Sequence, residues 1–597
     1  MERMPLWQIA IKRLEMPVGE YLIRYVTPAV VAGLLTGLGL MFALPTLFGG
    51  SAGLIFVAMF PFLTGAAAIM WPLVQTQREA VEIEKEMHMF ITRMGILSLG
   101  EVGAQSMFDI LRQMGDYGAL AKEVQAIETI VEKWHRALPE AARIVGRQSP
   151  SPLWGDFLDR MAFSVEAGQP IDQFMTAEQK TFSKEFDTLY DTRLESIDML
   201  REIYISITTT GIFGLVVAGI HLVLFVTGTP GGDIWEQMAR MRWVMLASVF
   251  FGIFQVAMLF AFRAMVPDDP IFGRHDFDTP HRIRLRQVWT MSAVAAVPIL
   301  MVSLSVPVMY TDALIENWDK FGLFLVAFAL TPLMFPGWVA SREEGGIIRR
   351  DESYPGFIRA LGGTAQARSA EPSATIHALK GIDFGALNES IENLESRLSI
   401  RIDSDRGWDW FSAEVNSAMV SRFNRIYLEG AQGSGEPAAV ADLVSQNTTN
   451  LLSLRRRRSL SAGSMRGVAY GLLVATIVSF NIAIAVVLRL GSDVAGVAQG
   501  MQGLDLGSIT TNAGGLGLPI LEDASVVDEN IGLFKLVTSL LVVFMVFIMA
   551  AIASRLRGGS WSITWGQAAL MMWVAAITSW LTAMMLEVTL GTFFASG

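Results

Sequence analysis

Four consecutive arginines, Arg455 to Arg458, stand in the stretch NLLSLRRRRSLSAG, shortly before a long apolar run that begins near Gly467. Guanidinium groups at this density can hold phosphates of nucleic acid, headgroups of anionic lipid or carboxylates of a protein partner. A formal net charge of -11 argues against a general nucleic-acid binder, which needs a basic surface. The other chemistry-bearing patterns are sparser. Gly49-Gly50-Ser51-Ala52-Gly53 matches GxSxG, but a nucleophile elbow needs a strand before and a helix after it, and here the stretch joins two apolar segments. A hairpin turn is the simpler reading, since glycine permits tight reversal. His275-Asp276-Phe277-Asp278-Thr279-Pro280-His281 sets two imidazoles and two carboxylates in one short loop, a donor set able to take a divalent metal, at a spacing that fits no specific metal motif. A solvated loop is the expectation. His221, Asn481 and Glu587 fall in or near apolar runs, where they read as helix-packing polar groups rather than a conduction relay. No lysine follows a glycine, so the chain has no GxxxxGK[ST] phosphate loop, and any nucleotide energy must come from another protein.

The elements that must position these residues are mostly apolar helices. The 597 residues are 52% hydrophobic and 17% charged, proportions of a membrane protein. Stretches long enough to cross a bilayer lie near residues 27–48, 53–74, 206–228, 243–265, 288–310, 322–340, 467–489, 536–554 and 565–586, which predicts about nine transmembrane helices. The charged N-terminal stretch MERMPLWQIAIKRLEMPVGEYLIR does not look like a removable signal peptide. The absence of cysteine leaves neither a disulfide framework nor thiolate chemistry.

Basic residues near span ends mark the cytoplasmic side. Arg3, Lys12, Arg13 and Arg24 place the N-terminus inside, and from there Arg274, Arg282, Arg284 and Arg286, the arginine run, and Arg555 with Arg557 also land inside. The outer segment 490–533 carries Asp493, Asp505, Glu522, Asp523, Asp528 and Glu529 with no lysine or arginine; Arg240 and Arg242 are a local exception. Moving four arginines across the bilayer would cost on the order of 10 kcal/mol, so the run also pins its span. Contact with anionic lipid could add about 1 kcal/mol per arginine.

The expected organisation is a cytoplasmic segment 1–26, a transmembrane hairpin 27–74, a first cytoplasmic helical domain 75–205, four spans over 206–340, a second cytoplasmic helical domain 341–466, and three spans over 467–597. Val124, Ile127, Val131 and Trp134 recur at helical spacing, and Phe182, Phe186, Leu189, Leu194, Ile197, Leu200 and Tyr204 mark a long helix entering the third span. Leu387, Ile391, Leu394 and Leu398 form one stripe of the second domain, and Phe411, Val415, Met419, Phe423 and Ile426 another. The first domain holds 22 acidic and 14 basic side chains, the second 16 of each, so the pair looks built for docking. A weak internal repeat sets Phe90-Ile91-Thr92-Arg93-Met94-Gly95 against Phe357-Ile358-Arg359-Ala360-Leu361-Gly362, and Glu166-to-Pro170 against Glu429-to-Pro437.

The order of these segments resembles the polytopic platform protein of archaeal type IV filament machines, the archaellum and archaeal pili, within the type II secretion F superfamily. The resemblance is carried by FITRMGILSLGEVGAQSMFDIL and the Glu178-to-Tyr204 helix, then YPGFIRALGG, GIDFGALNESIENLESRL, Trp410 to Gly430, and LLSLRRRR leading into a span. It implies an all-α polytopic membrane protein without catalytic activity, cofactor or metal. Its implied partners are a cytoplasmic hexameric secretion ATPase, pilin or archaellin subunits, the lipid membrane and a second copy in a homodimer. Arg455, Arg456, Arg457 and Arg458, with Glu101 and Arg359, are the expected ATPase-docking residues. A transporter with cytoplasmic regulatory domains is the alternative that nine spans and polar intramembrane residues support, and a hydrolase using Ser51 is a third.

Overall fold

The computed structural model describes residues 6–595 apart from 14–15, 44–49, 99–117, 226–241, 267–268, 274, 276, 310–316, 369–374, 401, 435 and 502–523. Among the described residues it is helical throughout, with a single isolated β-bridge between Phe272 and Ser417. In chain order the longer helices are α1 (Leu6–Arg13), α2 (Thr27–Ala43, entered through a short helix Val18–Tyr21 and a π-helical turn Leu22–Val26), α3 (Gly50–Ser98), α4 (Gly118–Trp134), α5 (Leu138–Gln148), α6 (Pro152–Glu166), α7 (Ile171–Phe225), α8 (Arg242–Met265) and α9 (Pro280–Met309). They continue as α10 (Trp318–Leu330), α11 (Met334–Arg368), α12 (Asn388–Ser399), α13 (Ser404–Val415), α14 (Ala418–Ser434), α15 (Pro437–Met501), α16 (Ala524–Arg557) and α17 (Trp561–Ala595). Eight of the nine spans read from the sequence coincide with helices long and apolar enough to cross a membrane. The other, 53–74, falls on α3, where several side chains lie outside the described residues.

The chain divides into two compact units. The first takes Met1–Arg193, Pro267–Thr279 and Glu344–Arg457. Its core draws on both segments that the sequence sets apart: Phe90, Trp154 and Phe157 from one and Phe357, Trp408 and Phe411 from the other belong to one apolar cluster. The same five-helix order occurs twice, as α3–α4–α5–α6–α7 and as α11–α12–α13–α14–α15. The two repeats meet where the face of α14 covers α3. Arg422 pairs with Glu86 at 3.2 Å, Arg93 pairs with Glu429, and a Cβ added to Gly430 would collide with Ile96. Burying large apolar side chains on both sides of this seam, each worth about 1.5–3 kcal/mol, accounts for the single core.

Local signals explain the breaks between helices. Ser151 caps α6 by accepting from the Trp154 amide at 3.3 Å, ahead of Pro152 at the first helical position. The second-domain stripe Phe411 to Ile426 keeps its phase, but it is carried by two helices rather than one. Asn416 takes a left-handed conformation (φ 56°) that ends α13, and Ser417 then accepts from the Val420 amide to start α14. The stripe of α4 ends at Val131, because Trp134 is exposed.

The second unit takes Leu194–Val266, Pro280–Glu343 and Arg458–Gly597. Exposed and buried chemistry are inverted here: Phe213, Phe250, Met301 and Leu304 present their side chains outward. Such a surface suits hydrocarbon rather than water. Inside the unit, small residues let helices approach closely. Gly337 at the start of α11 faces Gly566 of α17 so tightly that a Cβ on either would strike the other's backbone. Several polar groups between helices are paired. The Tyr204 hydroxyl donates to Gln255 Oε1 at 2.8 Å, and Asn481 Nδ2 donates to Thr582 Oγ1 at 2.6 Å and to the Ser579 carbonyl at 3.1 Å.

Candidate partner-docking site

Side chains on an α-helix advance by about 100° per residue, so four consecutive arginines must fan out in four directions. The structure shows this fan. Arg455 points inward: Nε and one terminal nitrogen grip Asp269 at 2.6 and 2.7 Å, and the other terminal nitrogen reaches Asp351 at 2.7 Å. The Arg455 side chain is 16% exposed and that of Asp351 is 1% exposed. Burial pushes the Asp351 carboxyl up to about 6 even with the Arg455 guanidinium beside it, because desolvation outweighs the attraction. The same two carboxylates raise Arg455 above the ordinary arginine range.

Arg456 is 74% exposed and donates to Glu352 of α11 at 2.9 Å, while Arg457, also exposed, donates to Asp191 of α7 at 2.6 Å. These three arginines belong to the first unit. Arg458 belongs to the second and is buried, with Nε donating to the Leu556 carbonyl at 2.6 Å and a terminal nitrogen to the Arg555 carbonyl at 3.2 Å. Those are end carbonyls of α16, so a cation here meets the negative end of its dipole; the Arg555 carbonyl also accepts from the Gly558 amide at 3.0 Å.

Asp269 reaches Arg455 from a short loop that docks inside the first unit. The Gly273 amide donates to the Asn416 carbonyl at 2.9 Å, and the Ala418 amide donates to the Ile271 carbonyl at 3.1 Å. The break after α13 thus exposes backbone that the loop uses. Next to Asp269 the seam keeps a cavity of about 80 Å³, lined by Tyr190, Arg193, Met419 and Leu454 among others. His88 borders it, stacked on Phe186 at 5.1 Å and edge-on to Phe423 at 6.5 Å, with no hydrogen-bond partner for Nε2. Burial pushes the His88 imidazole down to about 4, so it is neutral at physiological pH.

Of the other expected docking residues, Glu101 lies outside the described residues. Arg359 is exposed on α11 and pairs with Asp442 of α15 at 3.0 Å, away from the arginine run's contacts. Gly49 and the side chains of Ser51 and His221 also lie outside the described residues. In the two-histidine loop, Asp276 is outside the described residues, and His281 Nδ1 lies 3.0 Å from Glu343. Glu587 accepts from Lys320 Nζ at 2.7 Å. Sequence reasoning missed Asp269, Asp351 and the buried Lys535, which lies beside Asn481 around a small cavity of the second unit. A lysine within an apolar run was the available signal for the last of these.

Residues 90–219 match the family model for type II secretion system (T2SS) protein F. The chain carries a type II secretion F domain. The match runs from the end of α3 through α4, α5 and α6 into the membrane-spanning part of α7; the second repeat follows the same helix order outside the matched range. Over 458 residues the chain is 27% identical to Flagella accessory protein J of Methanococcus voltae, covering 76% of this chain and 78% of that protein. Over 462 residues it is 29% identical to Flagella accessory protein J of Methanocaldococcus jannaschii, with the same coverage. No solved structure matches. The resemblance drawn from the tandem helical segments is borne out, as is the all-α polytopic fold.

Proposed function

We infer that this F-domain protein is the membrane platform of an archaeal filament machine, and that the two helical repeats of its first unit, beyond the transmembrane hairpin 27–74, form the cytoplasmic dock for a hexameric secretion ATPase whose motion assembles pilin-like subunits. The observation that carries this reading is similarity over three-quarters of the chain to two Flagella accessory proteins J, combined with the F domain itself. The fold supports it physically. Fusing two repeats into one core makes a body able to take load, and α7, α11 and α15 each contribute residues to both units. A force on the repeats can therefore pass along α7, α11 and α15 as unbroken helices into membrane-spanning segments, besides the chain connections to α8 and α9 and the length of α3.

On this reading the arginine run divides its labour. Arg455 and Arg458 hold the architecture, while exposed Arg456 and Arg457 present charge to a partner, where complementarity orients the encounter more than it adds affinity. The excess of basic residues at the ends of the spans favours a cytoplasmic placement of the two repeats. The test is genetic: a host lacking the chain should lose its surface filaments and regain them on re-expression. Filaments persisting in the deletion strain, or substrate-driven uptake by liposomes holding the purified protein, would overturn the reading in favour of a transporter.

A further inference from the structure

The two repeats use one pair of faces against each other once, and leave the equivalent pair open. Aligning Phe90 with Phe357 makes Met89, Thr92 and Ile96 of α3 equivalent to Gly356, Arg359 and Gly363 of α11. The first set is buried in the seam under α14. The second set is exposed, and nothing lies near either glycine. Aligning Glu166 with Glu429 likewise makes Asp156, Asp159 and Phe163 of α6 equivalent to Met419, Arg422 and Ile426 of α14. The α14 residues Met419 and Ile426 are buried in the core, and Arg422 pairs with Glu86 across the seam. Their α6 counterparts are exposed, Phe163 by 70%.

The two open faces complement each other. The α6 face is acidic around one large aromatic ring: Asp156, Asp159 and Glu166 surround Phe163. The α11 face sets Arg349, Glu352 and Arg359 around two bare glycines, Gly356 and Gly363; Glu352 accepts from Arg456, which leaves the face an excess of positive charge. Glu166 and Arg359 each have a partner within the chain, Arg143 at 2.6 Å and Asp442 at 3.0 Å, both of them solvent-exposed pairs that cost little to exchange. A contact between unlike faces that is used once per chain leaves one of each unused, and closed symmetry between copies uses both.

We propose that the α6 face of one copy docks on the α11 face of a second copy, repeating between chains the contact that α14 makes with α3 within each chain. Phe163 then covers Gly356 and Gly363, and Asp159 meets Arg359. The inference does not depend on an ATPase, and it assigns Arg359 to self-association rather than to the motor.

Because the chain has no cysteine, disulfide trapping reports the contact directly. Two differently tagged full-length copies, one carrying Phe163→Cys and the other Gly356→Cys, are co-expressed, kept in native membranes and oxidised. The expected product is a mixed dimer, with no covalent dimer from either variant alone. Asp159→Arg and Arg359→Asp should each lower its yield several-fold, and the two together should restore it; Asp442→Asn, which removes only the internal partner of Arg359, should leave it unchanged. Disulfides between two Phe163→Cys copies would mean like faces meet and would overturn the proposal. So would cross-linking to an ATPase alone, or a monomer mass for the unmodified protein by native mass spectrometry.

Discussion

Removing the Arg455 guanidinium should cost far more than removing that of its neighbour Arg456. In Arg455→Met the side-chain volume is roughly kept, but three charge-assisted hydrogen bonds to Asp269 and Asp351 vanish. Asp269 is 30% exposed and can rehydrate; Asp351, at 1%, cannot. Breaking a buried pair by deleting one partner costs about 3–5 kcal/mol, since it strands a charge away from water. Arg456→Ala breaks a pair whose side chains are 74% and 42% exposed, and such pairs are worth about 0–1 kcal/mol. Thermal unfolding of the full-length protein in lipid nanodiscs, followed by tryptophan fluorescence, measures both.

Two further outcomes identify the cause. Asp351→Asn in the Arg455→Met background should recover most of the loss, because it removes the stranded charge. The loss should also shrink as pH falls from 8 towards 5. Asp351 is already raised to about 6 with its cation present, so without it the carboxyl protonates at still higher pH, and the neutral acid tolerates burial. An Arg455→Met loss no greater than that of Arg456→Ala, or one unmoved by Asp351→Asn, would mean that no charge is stranded at Asp351.

Other outcomes follow from burial and close packing. His88 lies buried and neutral, with its folded pKa depressed to about 4 from 6.5, so its contribution is present above pH 6.5 and lost as pH falls through 4; His88→Gln should flatten that acid limb by up to about 3 kcal/mol in pH-dependent melts. Tyr204→Phe removes the donor to Gln255 between two helices of the second unit, and should cost about 0.6 to 1.7 kcal/mol, measured as a lower melting temperature. Gly337→Leu should prevent the close approach to Gly566 and destabilise the protein by more than about 3 kcal/mol, with Gly337→Ala intermediate; equal melting of the three proteins would contradict the packing.

Much of this fold is legible in the sequence, for a physical reason: spans and amphipathic helices are periodic, and Phe182, Leu394, Phe411 and Phe423 fall inside as their spacing requires. Helix ends are less legible. The stripe through Phe411 and Ile426 continues in phase across Asn416, so periodicity alone hides the turn there. Long-range pairing is the least legible. Nothing in the residues near 269 shows that Asp269 meets Arg455, 186 positions away, or that both repeats share one core. The arginine run reads as one feature in sequence, yet helical geometry sends its members to a buried clamp, two exposed pairs and a helix terminus.

Docking of a secretion ATPase on the helical repeats is read out by binding of the host's ATPase hexamer to the full-length protein in nanodiscs across a range of salt concentrations. Binding should be saturable and weaken as salt rises, with Arg456→Glu and Arg457→Glu together slowing association while the protein's melting temperature stays within about a degree of the unmodified protein, as expected for exposed pairs. Absence of binding at low salt, by a protein that melts normally, would contradict it.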